Sequence, residues 1–253
     1  MNEPRDPMRA AQAHMRQPTV RRFYKTIEVR EAEGGGFELM LDGRAARTPG
    51  RNRLAARSRP LMERVAEEWA RQGETVDPAD MPITRLLNSA IDGVSRTMDE
   101  TRGDIARYAG SDLLCYRAEA PETLAESQRR AFDPVLAWAA EALGARFNLA
   151  ASVVHVAQPP EALARVRAAL DAVDDPAALA ALSVITSLTG SALIALAVAR
   201  GSVTPEEAWA AAHVDEDFQN ERWGVDEEAR ARREARWREM EVAAIALAAT
   251  RDL

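Results

Sequence analysis

Three histidines, one cysteine and a few hydroxyls beside glycine are the residues of this chain whose types and spacing could do chemistry. His213 stands just before Asp215, Glu216 and Asp217, a run able to act as a general base with a polarising carboxylate or to hold a hard cation. A small metal-dependent hydrolase using His213, Asp215 and Glu216 is one reading, although the spacing matches no established metal motif. Histidine acid–base chemistry rests on His155 and His213, because His14 falls in the N-terminal tail. Ser191 follows Gly190, yet Leu193 occupies the position where a nucleophile elbow needs glycine, so the hydroxyl reads as packed against its helix. Cys115 has only Arg117 as a nearby base and reads as a small core residue. Gly34-Gly35-Gly36 follows Glu31 and Glu33 and precedes a strand, which suits a hairpin loop better than a phosphate cradle. The glycine-spaced Lys-Ser/Thr pair of a P-loop is absent.

The elements that would position these residues fall into two kinds. Phe23, Ile27 and Val29 share one face of a strand, and Phe37, Leu39 and Leu41 resume the alternation after the three glycines, up to Asp42-Gly43. Ser58 can cap a helix with Pro60 in its first turn, whose stripe Leu61, Val65 and Trp69 should lie on that sheet. Ile83, Leu87, Ala90, Ile91 and Val94 then repeat at helical spacing. Beyond residue 103 no strand is expected, only helices near 104–116, 122–144, 160–173, 177–200, 205–219 and 226–250. The fold class is therefore α+β: a small antiparallel β-sheet with packed helices over 22–103, and an all-α helical bundle over 104–253. Residues 1–21 carry four arginines but also Glu3 and Asp6, and are expected to be a flexible tail and not a transit peptide.

Composition narrows the function classes. The 253 residues carry a formal net charge of −7, which gives no overall bias toward nucleic acid or an anionic membrane. Lys25 is the only lysine, so nearly every cation is arginine. A lone cysteine rules out an internal disulfide and fits a reducing compartment. No apolar run approaches the roughly 20 residues that span a bilayer. Trp69, Trp138, Trp209 and Trp237 occupy helical positions compatible with core packing. The charged helix 226–250 reads as a solvated face laced with i,i+3 and i,i+4 pairs.

An ordered set of short motifs carries a family resemblance from about Phe23 to Asp226. It includes Phe23-Tyr24-Lys25, Leu41-Asp42-Gly43-Arg44 with Thr48-Pro49, and Glu68-Trp69 with Gln72, Pro78, Met81-Pro82 and Thr84. Asp112 with Cys115-Tyr116-Arg117 follows, then Gln128, Asp133-Pro134, Trp138 and Thr189-Gly190-Ser191. Last come Asp215-Glu216, Gln219, Trp223-Gly224 and Asp226. The chain resembles the assembly chaperones of the F-type ATP synthase, departing from the family at Val76 and Phe218. The resemblance implies a non-enzymatic chaperone that binds the unassembled F1 α subunit and shields its subunit interface until the β subunit replaces it. It implies no nucleotide, metal or other cofactor, no nucleic acid and no membrane insertion. Asp215, Glu216, Gln219 and Trp223 become the expected partner-binding residues, and Trp69, Tyr116 and Trp138 structural ones. A monomer is expected, in the cytoplasm if the source is bacterial and in the mitochondrial matrix if it is eukaryotic. A general holder of unfolded clients is the further alternative.

Overall fold

A computed structural model describes residues 20–151 and 155–251. The chain opens on β1 (Val20–Arg21), β2 (Ile27–Glu31), β3 (Phe37–Leu41), β4 (Arg44–Ala45) and β5 (Ala55–Ala56), followed by helix α1 (Arg59–Ala70) and β6 (Thr75–Val76). β2 and β3 form the antiparallel hairpin that the alternation demands, with Ile27 opposite Leu41 and Val29 opposite Leu39. Gly35 and Gly36 turn it at φ values of 88° and 76°, a region that strains any residue with a Cβ. Phe23 stays outside the strand and is 65% exposed. Ser58 caps α1 by accepting from the Leu61 amide, and Leu61 and Val65 bury against the sheet as their spacing predicts.

The tail expected over 1–21 lies outside the described residues up to position 19. Its last two residues belong to the fold, where Val20 and Arg21 pair with Val76 and Thr75 of β6.

Helices α2 (Pro82–Asp92), α3 (Met98–Ala109), α4 (Glu122–Trp138), α5 (Pro160–Asp171), α6 (Pro176–Thr189), α7 (Ala192–Ala199), α8 (Pro205–Ala212), α9 (Val214–Trp223) and α10 (Glu227–Thr250) complete the chain. The expected boundary at 103/104 falls inside α3, which runs unbroken across it. The helix expected at 104–116 starts six residues earlier and stops at Ala109, because Asp112 leaves helical geometry to bond the Leu114 amide. One strand pair departs from the all-helical expectation. β7 (Tyr116–Arg117) pairs in parallel with β8 (Ala150–Ala151), two residues long and too short to register as alternation.

Two expected helices are each divided. The apolar run 177–200 breaks at Gly190, whose left-handed φ of 67° ends α6, and Ser191 then caps α7 through the Ile194 amide. The run 205–219 breaks at His213, where α8 stops and α9 begins. The small, apolar α6–α7 pair sits at the centre. Leu179, Leu182, Ile185, Leu193 and Ile194 are fully or almost fully buried, each contributing about 1.5–3 kcal/mol. The buried cluster is contiguous from Tyr24 and Leu39 of the N-terminal unit to Leu247 of α10, so both units share one core. The Ser58 hydroxyl donates to the Ala249 carbonyl, tying the last helix to the first.

Candidate partner-binding surface

The acidic run 215–217 occupies the first turn of α9, where carboxylates complement the positive helix end. Asp215 Oδ1 accepts from Gln128 Nε2 at 2.7 Å, and the same glutamine's Oε1 accepts the Ala118 amide, so α4 anchors the root of α9. Asp217 pairs with Arg233 of α10, and Glu216 stands 3.9 Å from the same guanidinium. Gln219 is exposed. α9 has no buried residue along its length and ends on Trp223, which is 77% exposed, with Val225 55% exposed beyond Gly224. Asp226 then caps α10 by accepting the Ala229 amide. Helices α9 and α10 flank a cleft of about 530 Å³ lined by Glu216, Asp217, Asn220, Val225, Arg230 and Arg233. The result is a charged pair of helices with an exposed tryptophan at the turn between them, a geometry suited to contact with a protein partner.

Other chemistry-bearing residues are committed to structure. His213 is buried, its ring lies 3.9 Å from that of Trp209, and its Nδ1 meets the Trp209 carbonyl at 2.8 Å. Burial, with Arg233 beside it, lowers its pKa and favours the neutral ring. His213, Asp215 and Glu216 therefore diverge to Trp209, Gln128 and Arg233, which removes the convergence a hydrolase site needs. Cys115 is fully buried, and burial together with the Asp112 charge pushes its thiol up to about 12.

Among the residues expected to be structural, Trp69 packs on the core, with its ring 5.4 Å from that of Tyr24. The Tyr24 hydroxyl donates to the Trp69 carbonyl at 2.7 Å. Trp138 is half-buried against the core. Tyr116 lies in β7, half-buried, its hydroxyl 3.4 Å from His155 Nδ1.

The sequence reading missed the buried carboxylates that assemble this scaffold. Glu68 is 1% exposed and accepts from the Ile83 amide, the Thr84 amide and the Thr84 hydroxyl at 2.7, 2.8 and 2.7 Å. It caps α2 from another helix, supplying what Met81 at the N-cap lacks. Asp112, fully buried, does the same for α7 by accepting the Leu193 amide at 3.1 Å, and burial pushes its carboxyl up to about 6. A carboxylate on the apolar stripe of α1, one residue before Trp69, was the available signal for the first.

Fold and surface together point to a protein that works by holding another protein. A model of the ATP12 chaperone protein family matches residues 21–140. The Atu1473 protein of Agrobacterium tumefaciens is 48% identical, with 98% of this chain and 92% of that one covered at a TM-score of 0.88. Atp12 of Paracoccus denitrificans is 39% identical over 91% of this chain and 98% of its own, at a TM-score of 0.87. Mitochondrial atp12 of Schizosaccharomyces pombe is 27% identical over 235 residues, covering 87% of this chain and 79% of that protein. The class is thus a chaperone. The chain belongs to the ATP12 chaperone family. Among the described residues no helix is long and apolar enough to cross a membrane.

Proposed function

We propose that the chain is a non-enzymatic assembly factor of the ATP synthase that binds the unassembled F1 α subunit. It covers the surface that the β subunit later takes. Family membership supports the chaperone role. The observation that carries the contact site is α9, a ten-residue helix with no buried side chain that ends on the exposed Trp223. A subunit of an obligate ring presents an apolar interface when alone and aggregates unless something covers it. In this reading Trp223 anchors the client, while Asp215, Glu216 and Gln219 face its cations and amides. The complex works where the α subunit is made or imported, the bacterial cytoplasm or the mitochondrial matrix.

The test is co-purification of the α subunit with Trp223→Ala and Glu216→Lys, alongside circular dichroism of each variant. Both side chains are at least partly exposed, so folding should change by only about 0.5 kcal/mol. Capture should fall at least tenfold, because losing a charge pair or an aromatic anchor at an interface costs about 2 kcal/mol or more. Full capture by folded variants removes α9 from the interface. Recovery of many unfolded proteins in place of one dominant client would support the general holding role instead.

A further inference from the structure

Six arginines and no acid lie between Arg44 and Arg59, whereas the segment 215–228 holds seven acids and one arginine. The chain therefore has two poles of opposite charge, and the proposed function uses only the acidic one. At the basic pole, Arg47 and Arg53 are bridge partners across a tight turn, so their side chains stand on one face. Arg47 Nη1 also donates to the Arg51 carbonyl at 2.8 Å.

The turn is pinned. Asp92, at the end of α2, accepts from the Thr48 hydroxyl at 2.6 Å and from the Gly50 amide and Asn52 Nδ2, each at 2.7 Å. A Cβ at Gly50 would lie 2.6 Å from the Asp92 carboxyl, so only glycine permits this approach. The same clasp holds Arg51 at a φ of 66°, a conformation that persists in a non-glycine residue only where its surroundings fix it.

Nearby acids neutralise only part of the segment. Arg30 and Arg53 share the buried Glu38, and Glu33 stands 3.7 Å from Arg53. The Asp92 carboxylate is taken up by the three hydrogen bonds of the clasp. Arg57 and Arg59 pair with Asp174 and Glu63. Arg44, Arg47 and Arg51 are exposed and pair with no carboxylate among the described residues.

We propose that the pinned turn 47–53, with Arg44 beside it, is a second docking surface that takes a short carboxylate-rich segment of a protein partner. Planar guanidinium groups on a rigid turn suit bidentate pairing with carboxylates, and pre-ordering them lowers the entropy lost on binding. A nucleic acid or an anionic bilayer extends beyond so small a patch and would meet the repulsion of a chain with net charge −7. A short acidic segment avoids that repulsion.

The experiment is fluorescence anisotropy of a labelled octaglutamate peptide titrated with the full chain at low ionic strength. Because the chain as a whole is anionic, uptake of this peptide requires a local cationic face. Replacing Arg47 and Arg51 by glutamine should weaken binding about tenfold, and adding Arg44→Gln should weaken it further. These side chains are exposed and free of ion pairs, so circular dichroism should be unchanged. Arg53 is left in place because its loss would uncover Glu38. No binding, or equal binding by parent and variant, overturns the proposal. So does an oligothymidylate or a phosphatidylserine vesicle that binds the parent tightly and loses affinity in the same variant while octaglutamate does not bind.

Discussion

Replacing Glu68 by alanine should cost about 3 kcal/mol. Its carboxylate makes three short hydrogen bonds, two of them to amides in the first turn of α2, and the N-cap Met81 offers no side-chain substitute. Each bond to a charged acceptor contributes about 1.5–3 kcal/mol. Against them stands the cost of burying the charge, visible as a carboxyl pKa raised above its ordinary value with desolvation as the largest cause. Thr84 and the two amides offset part of that penalty and leave a net loss near the value of one or two bonds. In a domain of this size the change should lower the melting temperature by roughly 6–12 °C. Glu68→Gln keeps the volume and one acceptor, so it should lose about half as much.

Thermal unfolding followed by circular dichroism reads the effect, and hydrogen exchange at the Ile83 and Thr84 amides localises it. A raised folded pKa also fixes the sign with pH. The native state binds the proton more tightly than the unfolded chain, so the contribution of Glu68 to stability is larger below the ordinary glutamate value and falls as pH rises through the raised one. An alanine variant that melts within about 2 °C of the parent, with unchanged exchange at Ile83 and Thr84, refutes the remote cap as a stabilising element.

Asp112, at about 6 against an ordinary 3.8, binds an extra proton in the folded state between those values, so its stabilising contribution drops as pH rises through 6. The deficit of Asp112→Asn relative to the parent, measured by denaturant titration, should shrink between pH 5 and pH 7, and a widening deficit would contradict the assignment. Trp69→Arg removes the ring contact with Tyr24 and places a guanidinium against the core, costing about 3 kcal/mol or more and failing as a fold and not as a surface. Its melt should fall below that of Trp223→Ala, and a native melt with lost capture would move Trp69 to the interface.

Periodicity made the scaffold legible wherever a local signal matched the global one. The β2–β3 alternation, the Ser58 cap and the stripe Leu61, Val65, Trp69 each placed an element within a few residues. It failed where apolar sequence ran through a break, as at Gly190, because hydrophobic content alone does not mark a left-handed residue. The division at His213 was hidden for a different reason. The acids that begin α9 look like a cation site in sequence, and only the fold shows each turned to a separate partner. Glu68 and Asp112 belong to the motifs, yet no local pattern marks them as remote caps, since the amides they satisfy lie 15 and 81 residues away. Composition and periodicity did not place Trp223 at an exposed turn; only the family resemblance set it apart from the four tryptophans expected in the core.

An exposed tryptophan is a liability unless something prevents two copies from joining through it. Here four acids, Glu221, Asp226, Glu227 and Glu228, lie within five residues of Trp223 in the sequence, and Arg222 is drawn over the Phe218 ring at 4.1 Å. Two such tips brought together would set these like charges against one another, which disfavours self-association through the indole. A client whose apolar pocket is rimmed by arginine or lysine meets no such barrier. The same charge that repels a second chaperone also steers this partner in. Under the proposed function this favours a one-to-one complex. It also eases release, because α9 buries no side chain of its own and the hold on a client rests on an anchor and a rim that a larger, drier subunit interface can outbid.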